Sequence, residues 1–143
     1  MNANDKQQSG AAGWPHMSAS RAAKLRQRLL EERDHLVTRL TRHMGEATAD
    51  PPRASDDLDL ALQSHDQERL LRLADKERKL LNAIEHALSK FADASYGLCE
   101  GTGEPIEQKR LNVRPWARYS TEYKEELERA RKGHPARLTV DEP

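Results

Sequence analysis

The sequence has little of what most folded domains rely on. Among 143 residues there are one cysteine, one phenylalanine, two tryptophans and three tyrosines. A single cysteine, Cys99, excludes an intramolecular disulfide and any three- or four-cysteine metal site within the chain. No apolar run approaches the roughly 20 residues that a membrane span needs, and no signal-like apolar segment follows the start. A cytoplasmic protein with no membrane contact is the expectation. Charge of one sign is also missing. Lys and Arg number 24 against 24 Asp and Glu, which argues against bulk binding of nucleic acid through a basic face. Few aromatics, with seven Gly and seven Pro, argue against an all-β sandwich.

Catalytic signatures are absent as well. The chain carries no nucleophile-elbow serine motif, no His-Glu-x-x-His, no phosphate-binding loop and no dinucleotide fingerprint. Gly101-Thr102-Gly103 is too short to cradle a phosphate and reads as a tight turn. Cys99 has no neighbouring His to activate it as a nucleophile, and reads as a half-buried thiol. His35, His43, His65 and His86 fall at spacings that do not assemble a metal-ligand set. The expectation is a protein that is not an enzyme and binds no metal.

What is present is charge and helical periodicity. Hydrophobic residues make up 36% and charged residues 34%, a balance suited to an elongated helical protein with a narrow apolar seam. Residues 1–17 are polar and aperiodic and read as a flexible tail, with Trp14 tethered in it. Ser18 or Ser20 can cap a helix on which Leu25, Leu29, Leu36, Leu40 and Met44 share one face. That helix is basic, with Arg21, Lys24, Arg26, Arg28, Arg33, Arg39 and Arg42 against Glu31, Glu32 and Asp34. Gly45 is expected to break it, and Asp50-Pro51-Pro52 cannot continue it.

A second helix is expected from about Ser55, as N-cap, to about Ala94. Leu73, Leu80 and Ala87 recur every seven residues, as do Leu70, Glu77, Ile84 and Phe91, giving a coiled-coil seam with Glu77 as its polar interruption. The two helices make an antiparallel hairpin, residues 18–95, with its tip at 45–61. A closed intramolecular hairpin favours a monomer. The last third, 96–133, reads as a small globule: a turn-rich segment at 96–103, a short hairpin between Glu104 and Val113, and a helix from Ala117 to Lys132. Its candidate core is Ile106, Leu111, Val113, Trp116, Tyr119, Tyr123 and Leu127; residues 134–143 read as tail. The fold class is therefore mostly α: a long coiled-coil hairpin with a small C-terminal globule and a C-terminal helix.

The hairpin tip concentrates carboxylates. Asp56, Asp57 and Asp59 crowd the first turn of the second helix, with Glu46 and Asp50 across the loop and Arg53 opposing them. Carboxylates at the end of a thin rod can deliver negative charge into a channel, towards a metal centre or basic groups there. Complementation of the helix dipole would produce the same enrichment. The residues alone leave both open.

The order of basic helix, acidic tip, long helix ending in Tyr96-Gly97-x-Cys99, Gly103-x-x-Ile106 and Arg110-Leu111-x-x-Arg114-Pro115 resembles the DksA/TraR family. The likeness spans about residues 20–132. The charged run Asp75–Leu81 matches a characteristic stretch of the family and places Asp56, Asp59 and Ala61 on its tip motif, D-x-x-D-x-A. The resemblance implies a transcription factor that inserts its tip through the secondary channel of bacterial RNA polymerase without sequence-specific DNA binding. It would modulate initiation, repressing ribosomal RNA promoters in stringent-response-type control with the alarmone ppGpp, and Asp56, Asp59 and Ala61 would be the effector residues. A transcript-cleavage factor of the Gre kind, with a similar acidic coiled-coil tip, is the alternative; a structural or DNA-binding adaptor is a third reading that balanced charge opposes.

Two departures accompany the resemblance. The four cysteines of the family's zinc finger fall on Cys99, Thr102, Ser120 and Tyr123, of which one is a normal zinc ligand. The globule is thus degenerate and zinc-finger-like, the chain resembles a cysteine-poor, zinc-independent branch, and Trp116, Tyr119 and Tyr123 packing on Ile106 and Leu111 would replace the metal. The basic positions implied for ppGpp are Lys76, Ala83 and Lys124, so two of three keep a cation.

Overall fold

A computed structural model describes residues 14–49 and 56–133. Four helices follow one another: α1 (Ala19–Thr48), α2 (Asp57–Ser89), α3 (Gln108–Val113) and α4 (Thr121–Gly133). Among the described residues there is no strand, only isolated pairings of Trp14 with Met17 and of Leu98 with Pro105. No helix among them is long and apolar enough to cross a membrane.

Ser18 starts α1, its Oγ accepting the Arg21 N–H at 3.3 Å. Ala22, Leu25, Leu29, Leu36 and Ala47 are its buried residues. The expected break at Gly45 does not occur: α1 runs through it to Thr48, and the Gly45 carbonyl accepts the Ala49 N–H at 3.0 Å. A glycine weakens a helix by about 1 kcal/mol without ending it, and the buried Ala47 beyond it keeps this turn packed. The expected cap at Ser55 lies outside the described residues. Asp56 caps α2 instead, accepting the Asp59 N–H at 2.8 Å.

The two long helices lie antiparallel along a shared seam, which His43–Glu77 and Met44–Arg78 contacts mark near the C-terminal end of α1. Ile84 and Ala87 are buried in it as expected, while Leu73 is 38% exposed and Ala74 takes the inward position at 1%. The seam thus reads Leu70, Ala74, Glu77, Leu81, Ile84, Leu88, Phe91, alternating steps of four and three. Alanine there lets the backbones approach closely. Glu77 is not a bare interruption: its Oε2 lies 2.8 Å from His43 Nδ1, with the two side chains 14% and 15% exposed.

α2 stops at Ser89, short of the expected Ala94. Turns take over, Lys90 O accepts the N–H groups of Ser95 and Tyr96, and Ala94 adopts φ 61°. The expected hairpin between Glu104 and Val113 is the single Leu98–Pro105 pairing followed by α3, and the last helix begins at Thr121 rather than Ala117, which is buried in the core. Val113, expected inside, is 75% exposed. The core joins Leu25, Leu29, Leu36, Ile84, Ala87, Tyr96, Cys99, Ile106, Leu111 and Ala117, with Trp116, Tyr119 and Tyr123 packed against it.

The end of the expected tail is packed too. Met17 is 6% exposed, Trp14 stacks on His16 and tilts against Phe91, and His16 Nε2 lies 2.7 Å from the Tyr96 carbonyl oxygen. Trp14 is therefore docked rather than merely tethered. The apolar surface where Phe91 and Tyr96 stack at 4.1 Å offers it more burial than solvent does.

Candidate functional site

The tip is built by the start of α2. Asp56 is extended at φ −151° and ψ 172°, and its side chain serves the helix through the Asp59 N–H. Asp57 and Asp59 fill the first turn, where the positive helix end favours carboxylates. Asp56, Asp57 and Ala61 are exposed, and Asp59 is half-buried. Leu58, Leu60 and Leu62 are 69%, 54% and 55% exposed, so the acidic turn is interleaved with apolar side chains facing solvent. Asp50 and Arg53 lie outside the described residues.

At the other end of the hairpin the structure brings Cys99, Thr102, Ser120 and Tyr123 together. The loop that carries the thiol is closed by Gly103 N–H to Cys99 O at 2.8 Å and Cys99 N–H to Glu104 O at 2.7 Å. Cys99 is 1% exposed. Burial pushes the thiol up, but the Thr102 hydroxyl and the N–H groups of Ser120, Thr102 and Gly101 outweigh it and bring the pKa down to about 7. Ser120 also opens α4, its Oγ accepting the Tyr123 N–H at 3.2 Å. Tyr123 tilts against Tyr119 at 5.4 Å and covers Gly101, where a Cβ would lie 2.1 Å from the ring carbons Cε1 and Cζ.

This arrangement does not fit zinc. One thiol, two hydroxyl side chains and a phenol are not a zinc donor set. The sulfur instead takes hydrogen bonds, and Ser120 serves as a helix cap. Among the described residues no group of three or more His, Cys, Asp and Glu is placed to hold a metal ion. The expected packing of Trp116, Tyr119 and Tyr123 against the core is present, but the sequence missed Tyr96, which is 1% exposed and donates its hydroxyl to Pro115 O at 2.7 Å. Burial pushes its phenol pKa well up.

Charged side chains tie the knuckle to α2. Glu100 joins His86 to Arg118. Burial works against the Glu100 charge, yet bonds from Arg118 and His86 hold its carboxyl below the usual range. Lys90, 7% exposed, has its ammonium pKa lowered chiefly by burial, against the pull of Glu100, Asp93 and Cys99.

Of the cations expected to meet ppGpp, Lys76 is exposed on α2, about 20 Å along the helix from its C-terminal end. Lys124 sits in the first turn of α4, and Ala83 is buried at 8% exposure. The structure thus sets the two lysines on separate elements. Sequence reasoning missed the cations of a cleft of about 480 Å³ lined by Glu107, Lys109, Arg110, Val113, Arg114 and Thr121. The signal was present in Arg110-Leu111-x-x-Arg114, whose two arginines lie four residues apart on and beside α3.

Comparison with known proteins agrees with this architecture. Residues 94–129 match the family model of the prokaryotic dksA/traR C4-type zinc finger. The chain is 33% identical over 120 residues to the RNA polymerase-binding transcription factor DksA of Caulobacter vibrioides, covering 84% of each protein. It is 36% identical over 108 residues to the protein of the same name from Escherichia coli K12, covering 73% of this chain and 70% of that one. Among solved structures, transcription factor DksA2 from Pseudomonas aeruginosa superposes with a TM-score of 0.71 at 35% identity, covering 91% of this chain and 99% of that one. With hairpin, knuckle and sequence in agreement, the chain belongs to the DksA/TraR family.

Proposed function

We propose that the chain is a regulator of transcription, not an enzyme, that binds bacterial RNA polymerase in the cytoplasm as a monomer. The hairpin enters the secondary channel, and Asp56, Asp59 and Ala61 at its tip alter initiation complexes. The observation that carries this reading is the tip itself: a two-helix rod whose second helix opens with Asp56, Asp57 and Asp59 around exposed leucines. An α2 of 33 residues is about 50 Å long, enough to carry these groups deep into a partner. Ala61 offers a small surface for close approach. Zinc is not required, because hydrogen bonds and Tyr123 occupy the knuckle. Lys76 and Lys124 supply phosphate-binding cations for ppGpp, with polymerase completing the nucleotide site. The transcript-cleavage alternative finds no support, since the relatives reported above carry the DksA name.

The test is initiation in vitro from a ribosomal RNA promoter with purified polymerase, with and without ppGpp, after exhaustive chelation of the added chain. Inhibition that survives chelation and deepens with ppGpp is expected. Asp59→Asn should lose the effect and keep polymerase affinity. An Asp59→Asn chain that inhibits like wild type overturns the role of that carboxylate.

A further inference from the structure

The outward flank of α1 is unused by any contact described so far. Arg28, His35, Arg39 and Arg42 follow one another at steps of seven, four and three, so they share one face over about 21 Å of helix. All four are exposed. Arg28 is committed at the foot of this stripe, donating from Nη1 to Asn112 O at 2.6 Å, and so fastens α1 to the end of α3. Beyond it, His35, Arg39 and Arg42 make no ion pair among the described residues. A cleft of about 280 Å³ opens at the same foot, lined by Arg28, Glu31, Glu32, His35, Val113, Pro115 and Trp116. Val113, 75% exposed, stands on its rim as an apolar knob.

We propose that this flank of α1, with Val113 at its foot, is a docking surface for an acidic patch on RNA polymerase; the proposal rests on the reading of the chain as a polymerase-binding regulator. The guanidinium groups of Arg39 and Arg42 are planar forks suited to carboxylates, and one helical turn separates them. A protein surface fits better than a nucleic-acid backbone for two reasons. Glu31 and Glu32 interrupt the stripe, and Glu46 and the aspartates of the tip follow it, so a polyanion laid along α1 would meet carboxylates of its own sign. A phosphate backbone also has no apolar counterpart for Val113, whereas a protein interface pairs an apolar anchor with a charged rim. The flank would then guide and orient the rod while the tip acts on the enzyme, with rim charges setting encounter rate and salt dependence.

The experiment titrates the full chain, labelled at its N-terminus, with bacterial core RNA polymerase at low and high salt. Arg39→Glu/Arg42→Glu should raise Kd by roughly tenfold at low salt and converge on wild type at high salt. Val113→Ser should raise it severalfold at both. Arg26→Glu/Arg33→Glu, an equal reversal on the other side of α1, should leave Kd unchanged, and circular dichroism should show all variants equally helical. Wild-type binding with an unchanged Kd for the double variant overturns the docking surface alone. Equal weakening by Arg26→Glu/Arg33→Glu also overturns it, because bulk charge then explains the effect. Failure of wild type to bind polymerase overturns it together with the reading beneath it. Binding of duplex DNA that the double variant loses assigns the stripe to nucleic acid and overturns the proposal.

Discussion

The Tyr123 ring lies so close over Gly101 that a Cβ there would sit 2.1 Å from Cε1 and Cζ. Tyr123 is therefore a plug on the knuckle. Gly101→Ala should force the ring out and lower stability by about 1–3 kcal/mol, the usual cost of overpacking. Urea unfolding followed at 222 nm measures it, and an unchanged midpoint would show that Tyr123 yields freely.

The Cys99 thiol gives a stability signature with pH. Its folded pKa of about 7 lies below the ordinary 9.0, so the folded state binds its thiolate better than the unfolded chain does. The contribution is fully present above pH 9 and is lost as pH falls through 7. Two pKa units correspond to about 2–3 kcal/mol. Wild type should gain stability between pH 7 and 9, and Cys99→Ala should not. Denaturant titrations across that window, with thiolate absorbance near 240 nm, check the result.

Much of the fold was legible because periodicity is local. Leu25, Leu29, Leu36, Ile84 and Ala87 declared the seam through helical spacing, whereas the expected tip register came from the resemblance, counted back from the Asp75–Leu81 run. Ala74 was hidden because a small side chain carries no hydrophobic signal, so Leu73 drew the assignment. Tyr96 and Trp14 were hidden for another reason. Their value comes from partners far away in sequence, as with His16 and Tyr96, 80 residues apart. The knuckle residues were placed by resemblance, while the hydrogen bonds around the Cys99 thiol needed coordinates. Thr102 and Ser120 look like ordinary loop hydroxyls until their geometry around Cys99 is seen.

Asp56 has two duties that substitution can separate. Asp56→Ala removes the cap on Asp59 N–H and should cost about 1 kcal/mol of local helix stability. Asp56→Ser keeps an acceptor at the cap and removes only the charge. If the carboxylate itself acts on polymerase, both variants lose transcriptional effect, and hydrogen exchange at the start of α2 rises only for Asp56→Ala.

The half-buried His43–Glu77 pair should tolerate joint replacement better than single replacement. Glu77→Ala leaves His43 without its partner in the seam and should lower stability by about 1–3 kcal/mol. His43→Leu/Glu77→Leu should match or exceed wild type, since an apolar pair fills a coiled-coil layer without desolvating polar groups. Thermal unfolding of the three chains decides it.

Ala94 holds φ 61° with no glycine to ease it. Ala94→Gly should stabilise the chain by about 1 kcal/mol, because a left-handed residue costs roughly that much with a Cβ. A lowered melting temperature would show that the methyl contributes packing that outweighs its strain.

The segment from Trp14 to Met17 closes the far end of the molecule with residues made before the partners they pack on. A metal-clamped finger can be completed within its own short stretch of chain, and so can be transplanted as a module. Here the knuckle at 94–129 shares its core with Met17, Leu25 and Leu29, so its excised fragment lacks part of its own interior. On the ribosome, the early segment must wait for the last third to emerge before either is packed. A core shared between knuckle and hairpin thus makes the knuckle a part that ripens only when both are present.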